Sequence, residues 1–347
     1  MMRTTSRLAV AAFSAACVAQ TISIAAAEPA PSHVVTQATI DEWKGKLSNW
    51  GRWGPEDVKG TLNLITDAKR KQAAASVETG ITVSLARDLI AEPWSAEPSD
   101  DARRKPVQQR MLSGPPKRMS GATDRLDIAP HGYDITHLDA LGHHLFGGKM
   151  YNGYPASENL SMERGLLRGG IGAMAGGIIT RGVIVDIPAL KGLPYLEPGT
   201  PVYAEDIEAW ERRTGVTIEP GDAVFIRTGR WTREREKGRW NIAQSAAGLD
   251  ASVIPWLKKR DVALLGSESA LSVVPLPPET AITNPDDYLP AHNFALVALG
   301  MPLIDNADLD AVAATAKRLN RYHFLLTLAP VRVPTATGVP INPLATF

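Results

Sequence analysis

The chain has 347 residues and a single cysteine, Cys17, which falls in an N-terminal segment expected to be removed. Disulfides and thiolate metal sites are therefore excluded from the mature protein. Neither sign of charge is in excess: 37 Lys and Arg balance 37 Asp and Glu. With no basic run either, the electrostatic footprint of a nucleic-acid binder is missing. There is no internal repeat and, beyond the N-terminus, no low-complexity tract. The glycine-rich run at 169–177 lacks the spacing of a dinucleotide loop and the lysine of a phosphate loop, so it reads as close packing or a lid. Ser267 lacks the second glycine of a nucleophile elbow, which argues against a serine hydrolase.

What is present is ordinary globular material, 44% hydrophobic and 21% charged, long enough for a large core and pointing by default to small-molecule chemistry. Arg3 and Arg7 precede an apolar, small-residue stretch at 8–27, and Ala25 to Ala27 offer a cleavage site before Glu28. Residues 1–27 thus read as a secretory signal peptide. Residues 28–347 remain as a single domain, periplasmic or secreted and without a membrane anchor after cleavage.

Residues 40–47 have the pattern of an amphipathic helix, and 67–76 that of a helix capped near Thr66. Trp50 to Asp57 form a Gly- and Pro-marked loop. Residues 81–89 alternate as a strand. The stretch 93–125 is rich in Pro, Ser and charge with little periodicity, and is expected to be a long loop or arm. Strands at 182–187, 223–228 and 262–266 alternate with helices at 204–213 and 251–260, so the fold class is α/β with a sheet covered by helices.

Residues 131–144 read HGYDITHLDALGHH, and three of the chain's seven histidines, His137, His143 and His144, fall within eight residues. In an extended strand His137 and Asp139 point to one face, and their tips could share a cation. Imidazole and carboxylate without thiolate suit zinc, manganese or iron(II). His131, Tyr133 and His143 have the same parity as His137 but reach one centre only if the chain turns, and Gly132 and Gly142 stand where a bend could occur. His144 has the opposite parity and reads as a supporting or surface residue. His33 and His323 read as ordinary structural histidines. Trp50 and Trp53 could wall a pocket for an aromatic substrate, although burial is the commoner use of tryptophan.

The order Thr136-His137-x-Asp139-x-x-x-His143 resembles the His-x-Gly-Thr-His-x-Asp-x-Pro-x-His motif of the cyclase family of metal-dependent hydrolases, the group of kynurenine formamidase and isatin hydrolase. Similar stretches run from Asn49-Trp50-Gly51-Arg52-Trp53-Gly54 and Gly60-Thr61-Leu62-Asn63-Leu64-Ile65-Thr66, through Gly148-Lys149-Met150-Tyr151-Asn152-Gly153 and Ile226-Arg227-Thr228-Gly229, to Thr337-Gly338-Val339-Pro340-Ile341-Asn342-Pro343. The resemblance implies a compact swivelling β/β/α-type domain with a twisted mixed sheet, a smaller second sheet and peripheral helices. It also implies a homo-oligomer acting on a small molecule.

Residue by residue, the resemblance implies that His137 and Asp139 ligate metal and that His143 moves protons. His292 with Asp305 matches a later ligand pair, where the family usually has Glu in the position of Asp305. The cofactor implied is a divalent metal, zinc or manganese, one or two per chain. The reaction implied is hydrolysis of an amide, formamide, cyclic amide or lactone by metal-activated water. The alternative is a metal-dependent binding protein of the same fold without turnover. Four residues before His137, where the family has its first His ligand, stands Tyr133. Either His131 takes that role through a bulge at Gly132, the preferred reading, or Tyr133 fills it as phenolate, or the site is one ligand short. On the bulge reading Tyr133 and Trp53 contact substrate.

Overall fold

In the computed structural model, residues 1–2, 33–90, 92–93, 106–116 and 120–347 are described. The signal-peptide reading, its cleavage site and Cys17 lie outside the described residues, and so does much of 93–125.

The strands of three or more residues are numbered β1 (Thr82–Ser84), β2 (Val107–Ser113), β3 (Thr123–Ile128), β4 (His137–Asp139), β5 (Ile178–Asp186), β6 (Ala223–Arg227), β7 (Leu264–Ser267), β8 (Leu303–Asp305), β9 (His323–Leu328), β10 (Gly338–Pro340) and β11 (Leu344–Thr346). All but β2 and β3 join one nine-stranded mixed sheet in the order β10-β4-β8-β7-β6-β5-β9-β11-β1. Its centre, β5 to β8, is parallel. Parallel neighbours need crossovers, and helices α3 (Ala204–Thr214), α4 (Arg230–Lys237), α5 (Ile254–Arg260) and α6 (Pro290–Phe294) supply them. The expected mixed α/β architecture is present.

Residues 223–226 read as an uninterrupted apolar run because both faces of β6 are buried. Val224 and Ile226 enter one core cluster, with Val183, Leu265 and Leu303. Ala223 and Phe225 enter the other, with Ile184, Phe324 and Leu138. Helix α1 (Gln37–Lys46) starts from a reciprocal pair in which the Thr36 and Thr39 hydroxyls each accept the other's backbone N–H. Helix α2 (Asp67–Ala75) starts at Thr66, whose hydroxyl accepts the Lys69 N–H. Its Lys69 reaches the fully buried Asp222 at 2.6 Å.

Three local expectations are corrected. Only Thr82–Ser84 of the strand expected at 81–89 pairs with β11. The partner strand begins after Pro343, which has no N–H to continue a ladder, and Leu85 N donates instead to Pro343 O. The helix expected at 251–260 opens as a 3₁₀ turn, Ala251–Val253, and becomes α-helical at Ile254. The described parts of 93–125 are not simply loop: β2 and β3 form an antiparallel hairpin, joined by Glu92–Pro93 as a third strand. Beyond the buried Val107 the hairpin is largely exposed on both strands, so it lacks the alternation that half-burial imprints on a sequence. At 169–177 the glycines serve packing, since a Cβ on Gly170 would lie 2.5 Å from Pro334 O.

Candidate metal centre

The centre is built on the sheet edge. In β4, His137 and Asp139 face the same way, and the antiparallel register sets Asp305 of β8 directly opposite His137. On the other side β10 places Gly338 opposite Asp139. A side chain there would collide with His131, because a Cβ on Gly338 would lie 2.6 Å from His131 Cε1. The missing side chain is what admits the His131 ring.

His131 reaches the centre through the turn at Gly132, whose φ of 125° suits glycine. Its Nδ1 lies 3.2 Å from Asp139 Oδ1, and its Nε2 is 2.9 Å from Thr337 Oγ1. After Asp139 the strand stops, and the chain turns with the His143 N–H donating to Ala140 O. His143 thereby stacks on His131 with ring centroids 3.9 Å apart. Gly142 makes this turn without a positive φ. His292, from α6, brings its Nε2 to 3.2 Å from Asp139 Oδ2 and 3.4 Å from Asp305 Oδ2.

Asp139 is therefore approached by His131, His137 at 3.4 Å and His292, and none of these contacts has hydrogen-bond geometry. Both Asp139 oxygens, Asp305 Oδ1 and His131 Nδ1 are buried without a hydrogen-bond partner. Buried carboxylates are ordinarily satisfied, so these unsatisfied ligand atoms, gathered in close groups, fit a cation. Two triads fit: His131, Asp139 and His143, and His137, Asp139 and Asp305, each with its ligand atoms within 4.8 Å of one another. Asp139 belongs to both.

The outer contacts orient the rings. His137 Nδ1 donates to Ile135 O at 2.8 Å, which leaves Nε2 with its lone pair for the centre. His292 Nδ1 sits 3.1 Å from Asn293 Oδ1 and has the same consequence. Protein groups alone polarise these residues. Burial pulls His137 and His292 down, but Asp139 and Asp305 outweigh it and raise them to about 9 and about 10. Burial pushes Asp139 up, yet His143 and His137 hold it well below the usual carboxylate range. Burial lowers His143 to about 4 and His144 to about 3.

A cavity of about 930 Å³ opens over the centre, lined by all five of these histidines together with Tyr133, Arg230, Trp240 and Tyr288. Tyr133 stands in the wall and belongs to neither triad. Trp53 does not line the cavity: Arg52 lies 4.7 Å over its ring, and the preceding Trp50 donates its indole N–H to Val297 O. His144, read as a supporting or surface residue, belongs to neither triad; strand parity ends at Asp139, and the turn carries its ring to 5.0 Å from His292. His33 stacks on Tyr203 and His323 lies in β9.

The residues that sequence reasoning missed come from distant segments: Arg230, Trp240, Tyr288 and Asn306. Asn306 donates to Gly132 O and Ile135 O, tying the His131 turn to β8. Arg230 directly follows the Ile226-Arg227-Thr228-Gly229 run, and that adjacency was the one available signal.

A model of the Cyclase family, described as "Putative cyclase", matches residues 81–271, over half of the chain. The chain belongs to this family. Among solved structures, a novel cyclase is 27% identical with a TM-score of 0.75, the match covering 87% of this chain and 100% of that one. Isatin hydrolase A from Ralstonia solanacearum is 18% identical with a TM-score of 0.51, covering 79% of this chain and 93% of that one. An isatin hydrolase bound to the product analogue thioisatinate gives the same identity and TM-score, covering 79% and 94%. At 18% identity the likeness to these two is one of fold. No curated protein matches the sequence.

Proposed function

We propose that the protein is a metal-dependent hydrolase that uses water to open a carbon–nitrogen bond of an amide, formamide or cyclic amide, or the corresponding bond of a lactone. The observation that carries this reading is Asp139, a 0% exposed carboxylate with three imidazoles around it and no hydrogen-bond donor on either oxygen. His131, His137, Asp139, His292 and Asp305 would hold the metal. Zinc and manganese both suit this nitrogen and oxygen donor set, and the sharing of Asp139 favours two ions over one.

A bound divalent cation supplies Lewis acidity and lowers the pKa of water toward about 7. The chain supplies the rest. Ile135 O and Asn293 fix the His137 and His292 tautomers, and Thr337 holds the His131 ring. His143 borders the centre and the cavity, where its imidazole can take a proton from the attacking water and return it to the leaving nitrogen or oxygen. Tyr133, Trp240 and Tyr288 wall the space in which a planar substrate would lie. The reading includes export to the periplasm or medium and assembly into a homo-oligomer.

The test is a panel of formamides, cyclic imides, lactams and lactones, assayed with zinc and with manganese before and after chelation. Turnover of at least one class, abolished by chelator and restored by metal, is expected. Turnover that survives complete metal removal would refute the proposal.

A further inference from the structure

Arg230 is the first residue of α4 and is 5% exposed, yet it lines the cavity. Its guanidinium is held by three neutral acceptors. Nη1 donates to Glu268 O and Asn306 Oδ1, both at 2.8 Å, and Nη2 donates to Tyr133 O at 2.5 Å. Its Nε–H is buried without a partner. Among the described residues no carboxylate pairs with it. The acids on this side of the cavity are engaged elsewhere, since Arg239 takes Asp134 at 2.5 Å and Glu234 at 3.3 Å. Glu268 turns its Oε2 to the backbone N–H groups of Thr228, Gly229 and Arg230; its Oε1 is buried without a hydrogen-bond partner, and neither oxygen forms an ion pair with the Arg230 guanidinium. A second cation, Arg87, stacks on the same Trp231 ring as Arg230, each 3.9 Å from the centroid.

Buried charges are ordinarily paired, and a guanidinium matches a carboxylate better than any other cation in proteins. We propose that Arg230 receives the carboxylate of a planar ligand bound in this cavity and so sets its substrate class as carboxylate-bearing or carboxylate-releasing molecules. Burial, which holds Arg230 down to about 10, is consistent with a charge awaiting its counter-ion. The three neutral bonds preset the guanidinium plane, so little ordering remains to be done on binding. The inference rests on the cavity being the reaction site.

The test uses benzoate and benzamide, planar molecules of similar size that differ in charge, titrated calorimetrically into the intact, metal-bearing protein. Wild type is expected to favour benzoate by roughly 10- to 100-fold, the scale of a charge-assisted hydrogen bond. In Arg230→Gln the preference should fall below about threefold, with benzamide affinity and metal content unchanged. No preference in wild type, or a preference retained in Arg230→Gln, would overturn the proposal, the latter by placing the carboxylate on the metal alone. If Arg230→Gln does not fold, Arg230→Lys keeps the charge without the planar fork and should weaken benzoate alone by about 3- to 10-fold. Wild-type affinities in the lysine variant would then be the contradiction. A substrate carboxylate shows as a KM rise in the variant confined to carboxylate-bearing substrates, and a released one as weakened product inhibition. Arg230-dependent benzoate binding in a protein that hydrolyses nothing would sink the hydrolase reading and leave Arg230 as the carboxylate receptor of a binding cavity, without a substrate class.

Discussion

Asp222 and Asp139 are both 0% exposed, and they differ in what surrounds their oxygens. Asp222 accepts from Arg181 Nε at 2.9 Å and Nη2 at 2.5 Å and from the Glu219 N–H at 2.8 Å, with Lys69 Nζ 2.6 Å away. Every lone pair has a use, and the group ties α2 to β5 and β6. Asp139 has imidazole nitrogens at 3.2 to 3.4 Å and no hydrogen bond. The first pattern is finished within the protein. The second is completed only by something the chain does not contain. Burial alone therefore does not mark a functional carboxylate, whereas burial with unsatisfied oxygens does.

The largest effect should fall on turnover. Asp139→Ala is expected to reduce hydrolysis to background and to lose metal, while Asp222→Asn, wherever it folds, keeps both metal and activity per folded molecule. Elemental analysis beside the hydrolysis panel checks this, and metal loss in both variants would erase the distinction. Next, His143→Ala should keep its metal and lose roughly 100- to 10,000-fold in turnover, the scale of acid–base assistance. Metal loss equal to that of His137→Ala would make His143 a ligand of the first triad.

On stability the order reverses. Asp222→Ala leaves the buried Arg181 and Lys69 with only the part-exposed Glu219 as counter-ion and should cost about 3 kcal/mol in urea unfolding. Asp139→Asn in chelated protein should cost at least about 2 kcal/mol less, because no hydrogen bond is broken. Equal costs would show that both carboxylates are structural.

The smallest effect concerns His323, beside the Asp222 group. Burial, with Arg181 and Arg321 nearby, lowers its pKa. A histidine whose folded pKa lies below its unfolded value binds fewer protons when folded, so stability is present above about pH 6.5 and falls as the pH drops below it. His323→Gln should narrow the Tm difference between pH 7 and pH 5. An unchanged difference would assign the acid sensitivity elsewhere.

Legibility in the sequence followed the same division. His137 and Asp139 stood out because their density and period-two spacing had no ordinary packing use. Asp305 and His292 were reachable only through family resemblance, since the pairing of β4 with β8 joins positions some 170 residues apart. The place of His144 beside His292 was not legible, because strand parity does not extend past a turn that a local pattern does not announce. Arg230 was missed because its environment comes from three separate segments, ending in Tyr133, Glu268 and Asn306. Within 93–125, read as a long loop or arm, the strands of the β2–β3 hairpin went unrecognised because exposure leaves almost no hydrophobic alternation to detect.

The central claim is that the unsatisfied carboxylate cluster is a cation site. The measurement that tests it most directly is the metal content of purified wild-type protein and His137→Ala, taken on the same preparation as a folding check. At least one transition metal per wild-type chain and a large loss in the variant are predicted. Full occupancy in a folded His137→Ala protein would contradict the account.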